Sequence, residues 1–325
     1  MAVSVVIPVY NSEGCLASLV DRIGAVLDPA SQLGELILVN DGSRDRSWEI
    51  IQELASRFPW IRGINMMRNF GQHNALLCGI RAARHETIAT LDDDLQTPPE
   101  EVPRMLAALQ NDVDVVYGTP REQAHGLFRN MASTVTKLAL QSAMGAETAR
   151  KVSSFRVFRT YLRDAFAEYS GPFVSIDVLL TWGTRRFGSV PVRNDPRTVG
   201  KSNYTVGKLI AHAMNMMTGF STVPLQVASV LGFSCTLLGL VLLIYVLARY
   251  FMQGDAVPGF PFLASLVVIF SGAQLFALGI MGEYLARMHF RVMDRPSYAV
   301  RSVTAEPVSS TADSYAAKPQ SQYVR

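Results

Sequence analysis

Thr87-Ile88-Ala89-Thr90-Leu91-Asp92-Asp93-Asp94-Leu95-Gln96-Thr97-Pro98-Pro99-Glu100-Glu101 is the stretch that decides the fold. Thr87–Leu91 is a short apolar, partly β-branched run that reads as a buried strand, and three carboxylates follow it directly. Pro98-Pro99-Glu100-Glu101 then reads as a helix start, with proline in the first turn. The same grammar recurs upstream. Val3–Val9 ends in Tyr10-Asn11-Ser12 and a helical pattern to Leu27, and Glu35–Val39 ends in Asp41-Gly42-Ser43 and a helix through about Phe58. Ile61–Met66 precedes a helix from Gly71 to Arg84, and Val113–Tyr117 makes a fifth strand. Strands alternating with helices argue for an α/β fold with a doubly wound, mainly parallel sheet. Ligands bind such sheets beyond the carboxyl ends of the strands, which is where these polar clusters fall.

Within the quoted stretch, alternation along an extended chain would turn Asp92, Asp94 and Gln96 to one side. Oxygen donors of this kind suit a hard divalent cation, Mg2+ or Mn2+, which takes one or two carboxylates plus substrate phosphates. The bland alternative is an acidic turn that caps the following helix. Asp41-Gly42-Ser43 is a turn signal by default, and a carboxylate for a nucleotide base or ribose in the functional reading. Asn69-Phe70-Gly71-Gln72-His73 reads as a helix-capping loop, with His73 structural or a supporting contact. Dinucleotide-binding, P-loop and nucleophile-elbow motifs are absent.

Composition locates the rest. The chain has 325 residues, with 30 Lys+Arg against 27 Asp+Glu, a net charge of +3, and 49% hydrophobic content against 18% charged. So small a net charge gives no footprint for nucleic acid, and the charge shortage requires an unusually apolar stretch. Cys15, Cys78 and Cys235 lie far apart, which excludes a disulfide scaffold and a cysteine zinc site. The shortage sits in Leu225–Ala248 and Phe262–Gly282, each long enough to cross the ~30 Å hydrocarbon core as a helix. Two buried helices of a large soluble core are the alternative, but those normally show a polar face. Between the spans Arg249 is the one basic residue. Arg193, Arg197, Lys201 and Lys208 precede them, and Arg287, Arg291, Arg295 and Arg301 follow. The positive-inside rule puts both flanks in the cytoplasm. The opening MAVSVVIPVY carries no basic n-region, so the N-terminal part is expected to stay cytosolic. Thr205–Ser221 suits an interfacial helix or a packed linker helix. Gly272, Gly279 and Gly282 give the second span a small-residue surface suited to helix packing, and so to a homo-oligomer.

Basic groups complete the set. Arg197-Thr198-Val199-Gly200-Lys201-Ser202-Asn203-Tyr204, just before the membrane, combines cations, hydroxyls and a glycine in the way a phosphate requires. Anionic lipid headgroups are the alternative ligand. Arg121, Arg129 and Ser133 form a second group after the fifth strand, for a nucleotide diphosphate or an acceptor phosphate.

Val5-Val6-Ile7-Pro8-Val9-Tyr10-Asn11, Asn40-Asp41-Gly42-Ser43, Leu91–Gln96 and Arg197–Tyr204, in that order, resemble the family-2 glycosyltransferases of GT-A fold. The C-terminal hairpin narrows the resemblance to polyprenyl-phosphate glycosyltransferases. Arg68–His73, Pro98–Arg104, Gly272-Ala273-Gln274 and Gly282-Glu283-Tyr284 echo the formamido-arabinose branch. The resemblance implies a cytosolic GT-A domain over residues 1–204, an interfacial helix over 205–222, and membrane helices over 223–250 and 262–286. Charge and composition leave 251–261 as an external loop and 287–325 as a cytosolic tail, whose Ser, Ala, Pro and Gln content reads as disorder from about 302. The resemblance implies that Pro8, Tyr10, Glu13 and Asp41 hold the nucleotide, that Asp92, Asp94 and Gln96 hold the cation bridging the diphosphate, and that Arg121 touches the donor phosphates. Arg129 and Ser133 would meet the acceptor phosphate, with Arg197, Lys201, Ser202 and Tyr204 closing over it; Asp94, Arg129 and Arg197 are then the catalytic set. One departure stands out: relatives commonly carry Asp where this chain has Ser154, so a base role for that Asp does not carry over. The implied partners are a nucleotide sugar, a polyprenyl phosphate and the bilayer, and the implied reaction is an inverting sugar transfer. A phosphate acceptor, with a second pKa near ~6, is already ionised and needs no strong base. A processive synthase would need more spans and a Q-x-x-R-W motif, and a non-catalytic scaffold would have no need for these carboxylates together.

Overall fold

The computed structural model describes residues 2–27, 33–110, 112–120, 151–171, 173–193, 195, 219, 222–253 and 259–304. Strands β1 (Val3–Val9), β2 (Leu33–Asn40), β3 (Ile61–Met66) and β4 (Thr87–Thr90) alternate with helices α1 (Leu16–Leu27), α2 (Ser47–Arg57) and α3 (Gln72–Ala82). A 3-10 turn at Pro99–Glu101 leads into α4 (Val102–Ala108), then β5 (Val115–Pro120), β6 (Arg156–Arg159), α5 (Ile176–Gly183) and β7 (Phe187–Val192). Two long helices, α6 (Val223–Gln253) and α7 (Phe260–Val292), precede a last strand, β8 (Val300–Val303).

The strands form one sheet in the order β7-β5-β6-β4-β1-β2-β3-β8. β1 pairs in parallel with both β2 and β4, so chain order reverses beside β1, and the crevice at the β1 and β4 carboxyl ends is a topological switch point. The mainly parallel sheet matches the expectation, with two antiparallel exceptions. β6 lies between β4 and β5, antiparallel to both, and β8 runs antiparallel along β3.

Both faces of the sheet are covered, which explains the continuous apolar runs. Val3, Val5, Ile7 and Val9 pack with Leu16, Leu19 and Ile23 of α1, Ile51 and Leu54 of α2, and Met105 of α4. Val6, Ile37 and Val39 face the other way, onto Leu76, Leu77 and Ile80 of α3 and Leu179 and Leu180 of α5. Polar anchors cross this second layer. Arg156 is 1% exposed, its guanidinium lies 3.4 Å from the Asp177 carboxylate, and the Tyr117 hydroxyl donates to that carboxylate at 3.0 Å.

The two apolar helices are not core helices. Val223–Arg249 and Ile269–Phe290 have mean hydropathies of 2.5 and 1.3, and none of either apolar window is buried. Phe233 is 72% and Phe251 81% exposed. They pack on each other at Gly239, where a Cβ would lie 3.0 Å from the Phe270 ring. The helices run longer than the spans read from composition. At 31 and 33 residues they extend roughly 45–50 Å, well beyond the hydrocarbon thickness. The last turns of α7 reach the sheet-containing domain, with Arg287 over the Phe173 ring at 4.6 Å and Phe290 edge-on to the same ring at 6.5 Å.

The tail corrects a second expectation. Disorder was expected from about residue 302, yet Ser302 and Val303 belong to β8 and pair with Asn65 and Ile64. Thr304 adds a reciprocal pair with Gly63, donating its amide to the carbonyl and accepting from the amide at its hydroxyl, both at 2.9 Å. Composition hid this strand because the edge of an existing sheet supplies hydrogen-bonding partners to even a polar segment. The sheet is thus closed by chain that follows the membrane helices. Residues 305–325 and the expected interfacial helix, apart from positions 219 and 222, lie outside the described residues.

Replacing Asp177 with Ala strands the Arg156 guanidinium in the core, at an expected cost of about 3–5 kcal/mol. Thermal unfolding in detergent should show a large loss for Asp177→Ala, with much of it recovered in Arg156→Met/Asp177→Leu.

Candidate functional site

The carboxyl ends of β1 and β4 meet at Asp93. Its carboxylate accepts the Tyr10 amide at 3.1 Å and a hydrogen bond from the Ser12 hydroxyl. Burial pushes Asp93 up to about 6; the Ser12 and Tyr10 bonds oppose the shift, and Asp92 and Asp94 add to it. The Cys15 thiol, against the Asp93 carbonyl at 3.0 Å, is pushed up to about 11, first by burial and then by the neighbouring carboxylates. It is therefore no thiolate nucleophile.

The neighbours of Asp93 are held differently. Asp92 accepts the Gln72 side-chain amide at 2.7 Å on one oxygen and the Ser154 hydroxyl at 2.5 Å on the other. Asp94 accepts the Gln96 amide at 3.1 Å, and Leu95 between them sits at φ 59°. The chain here is therefore a tight turn. β4 ends at Thr90, so the extended alternation expected to align Asp92, Asp94 and Gln96 is not what this segment adopts.

Asp41, at the end of β2, is 3% exposed and accepts the amides of Phe70 at 2.7 Å and Gly71 at 2.9 Å. Burial pushes it up to about 6, opposed by those amides and by Arg68. The loops of β2 and β3 touch so closely that a Cβ on Gly42, at φ 64°, would lie 2.5 Å from the Arg68 and Asn69 backbone. Asp41 thus fixes the β3–α3 loop as well as facing the crevice end of the sheet.

Other expected residues fall around these loops. Pro8 is buried in β1 opposite Val39, and Tyr10 projects at the rim, 38% exposed. Glu13 accepts the Arg46 amide at 3.0 Å at the start of α2, alongside Asp45, whose hydrogen bonds from Ser47 and Glu13 outweigh desolvation and lower its pKa. His73 accepts the Ile176 amide at 3.3 Å, a structural contact at the start of α5. Arg121, Arg129, Ser133, Arg197, Lys201, Ser202 and Tyr204 lie outside the described residues. Asp195, a described residue, donates its amide to the Gln96 carbonyl at 2.8 Å. Gln72, Ser12 and Ser154 join the carboxylate network, and sequence reasoning assigned none of them a contact there. Gln72 stood inside a quoted motif, but only the fold brings its amide to Asp92.

The donor set fits a divalent cation held jointly with a ligand. Among the described residues no three His, Cys, Asp or Glu side chains are grouped to hold a metal alone. Adjacent carboxylates at a strand end match instead the mode in which substrate phosphates complete the shell.

The Glycosyl transferase family 2 model matches residues 4–169, which span β1 to the segment after β6 and contain Glu13, Asp41, Asp45 and Asp92–Asp94. The chain belongs to glycosyl transferase family 2. It is 34% identical over 304 residues to an undecaprenyl-phosphate 4-deoxy-4-formamido-L-arabinose transferase from Aeromonas hydrophila, covering 93% of each chain. It is 33% identical over 315 residues to the protein of that description from Yersinia pestis, covering 96% of each. Among solved structures, glucosyl-3-phosphoglycerate synthase from Mycobacterium tuberculosis in complex with Mn2+ and uridine-diphosphate-glucose superposes with a TM-score of 0.51. That match has 20% identity and covers 67% of this chain and 77% of that one, so it shows the GT-A fold. This family-2 chain is a glycosyltransferase built on that fold.

Asp41 carries a pH signature. Its pKa of about 6 lies above the ordinary 3.8, so between those values the folded chain takes up a proton that the unfolded chain does not. This group therefore stabilises the fold as pH falls from about 6 toward 4, and that contribution is lost as pH rises again. Asp41→Asn should flatten the change of Tm over this window.

Proposed function

We propose that this chain transfers a sugar from a nucleoside-diphosphate sugar, UDP-linked, to a polyprenyl phosphate such as undecaprenyl phosphate at the cytoplasmic face of a membrane. The observation that carries the reading is the near full-length similarity to undecaprenyl-phosphate sugar transferases, which extends from the carboxylate crevice through both apolar helices. In the reaction, a phosphate oxygen of the acceptor attacks C1 of the sugar. The C1–oxygen bond to the nucleoside diphosphate breaks, and the diphosphate leaves with its electron pair; a single displacement inverts C1. Acceptor phosphate and donor diphosphate repel each other, so the site's task is positioning and charge neutralisation rather than proton removal.

Each group has a part. Asp41 and the Pro8–Glu13 rim hold base and ribose, and Arg121 meets the donor phosphates. Asp94, with Asp92 and Gln96, would hold Mg2+ or Mn2+, which neutralises the leaving diphosphate when bound. Arg129 and Ser133, with Arg197, Lys201, Ser202 and Tyr204, hold the acceptor phosphate. The hydrogen bond from the Asp195 amide to the Gln96 carbonyl supports this division, because Asp195 lies two residues before Arg197 in the sequence. Asp92 is engaged by Ser154 and Gln72, consistent with a chemistry that asks for no general base here.

The membrane reading follows from the same chemistry. A polyprenyl phosphate keeps its tail in hydrocarbon and its phosphate at the interface, so the enzyme needs its crevice tethered there. The positive-inside reading of the cation-rich flanks supports domain and tail on the cytoplasmic side, with the 251–261 connection outside. The sugar product would serve cell-envelope glycan assembly.

Asp94→Ala should reduce sugar transfer to undecaprenyl phosphate by several orders of magnitude while membrane insertion persists, and chelation of divalent cations should do the same to the wild type. Full activity in chelator would remove the cation from the account. Arg197→Glu should raise the acceptor KM far more than the donor KM; equal rises would move Arg197 out of the acceptor subsite.

A further inference from the structure

Five consecutive residues leading into α3, Phe70 to Asn74, reach four separate parts of the molecule. The Phe70 and Gly71 amides hold Asp41, the Gln72 side chain holds Asp92, and His73 accepts from Ile176 at the start of α5. Asn74, 5% exposed, donates its side-chain amide to the Ser297 carbonyl at 2.5 Å. Ser297 belongs to the arm that leaves the membrane after α7, so one helical turn touches both crevice carboxylates and the membrane arm.

The arm is clamped along its length. Ser297 is 4% exposed and its hydroxyl donates to the Gly171 carbonyl at 2.7 Å. The Tyr298 ring packs under the Arg81 guanidinium of α3 at 5.8 Å. The Met67 amide donates to the Ala299 carbonyl at 2.9 Å, and Arg301 donates back to the Met67 carbonyl at 3.2 Å. Met67 directly precedes the loop whose amides hold Asp41. Gly71 in that loop stands at φ 100°, a conformation open to glycine that other residues rarely adopt.

We propose that Asn74 is a positioning residue: through it, the seating of the Ser297–Thr304 arm sets the β3–α3 turn that presents Asp41 and Asp92 to the nucleotide sugar. Membrane seating of α7 and readiness of the donor site are thereby one equilibrium. The polar head of the donor is soluble and could be bound and wasted anywhere in the cytosol. A donor site assembled only when the arm is docked restricts productive binding to protein properly placed at the bilayer. The proposal rests on the reading of Asp41 and Asp92 as donor-site carboxylates, but its structural half is measured without substrate.

Hydrogen–deuterium exchange on the full chain in nanodiscs supplies that measurement, with Asn74→Asp removing the amide donor and setting a carboxylate against a carbonyl. Exchange should quicken about tenfold in peptides covering 68–74 and 297–304, and stay unchanged in 115–117 of the sheet. With UDP-sugar substrates, the donor KM should rise several-fold while the acceptor KM holds. Val300→Pro, which breaks β8 at the exposed edge without touching α3, should reproduce both effects, and keeps the test decisive if Asn74→Asp does not fold. Loosening of 297–304 with 68–74 still protected would overturn the proposal, as would equal rises in both KM values. Coupled exchange with no UDP-sugar binding even in the wild type would instead overturn the donor-site reading and leave the coupling standing.

Discussion

Three carboxylates in succession cannot share one crevice as equals. In a low-dielectric site their repulsion and desolvation would shift each other's protonation and spread the turn apart. The fold separates them by task. Asp93 is turned inward, where burial pushes its pKa up to about 6, and its hydrogen bonds from the Tyr10 amide and the Ser12 hydroxyl join the ends of β1 and β4. Asp92 and Asp94 are left at the rim, the first fixed by Gln72 and Ser154, the second by the turn it forms with Gln96. Two further contacts converge on that turn: the Gln72 side chain of α3 reaches Asp92, and the Asp195 amide donates to the Gln96 carbonyl.

That arrangement joins two problems of the reaction. The donor is anionic and soluble, whereas the acceptor is anionic and confined to an interface. The sheet crevice addresses the first and the helical hairpin the second. They are not independent modules on a linker, because β8 comes from beyond the hairpin and completes the sheet at β3. Arg287 and Phe290 press the end of α7 on Phe173, a second join between membrane helix and catalytic domain.

The sequence made the parallel half of the fold legible because β1 to β5 are buried on both faces, which leaves unbroken apolar runs that end in polar turns. The hairpin was legible for the same reason in a different solvent. β6 and β8 were not, since Arg156–Arg159 and Val300–Val303 owe their strand character to neighbours far away in the chain. Asp41, Asp92 and Asp94 stood out as carboxylates at strand ends. What local reasoning missed was their support. Gln72, Ser12 and Ser154 matter through contacts that span 20, 81 and 62 residues of sequence. The left-handed Leu95 also turned an expected extended segment into a turn.

The central claim is that a soluble donor and a membrane-bound phosphate react in one crevice. The direct test incubates the purified full chain in nanodiscs with undecaprenyl phosphate, a divalent cation and a panel of UDP-sugars, following lipid-extractable sugar phosphate and released UDP together. The account predicts that one UDP-sugar yields the two products in equal amounts, only when the lipid phosphate is present. UDP release that proceeds equally without the lipid, or sugar appearing only on a soluble acceptor, would contradict it.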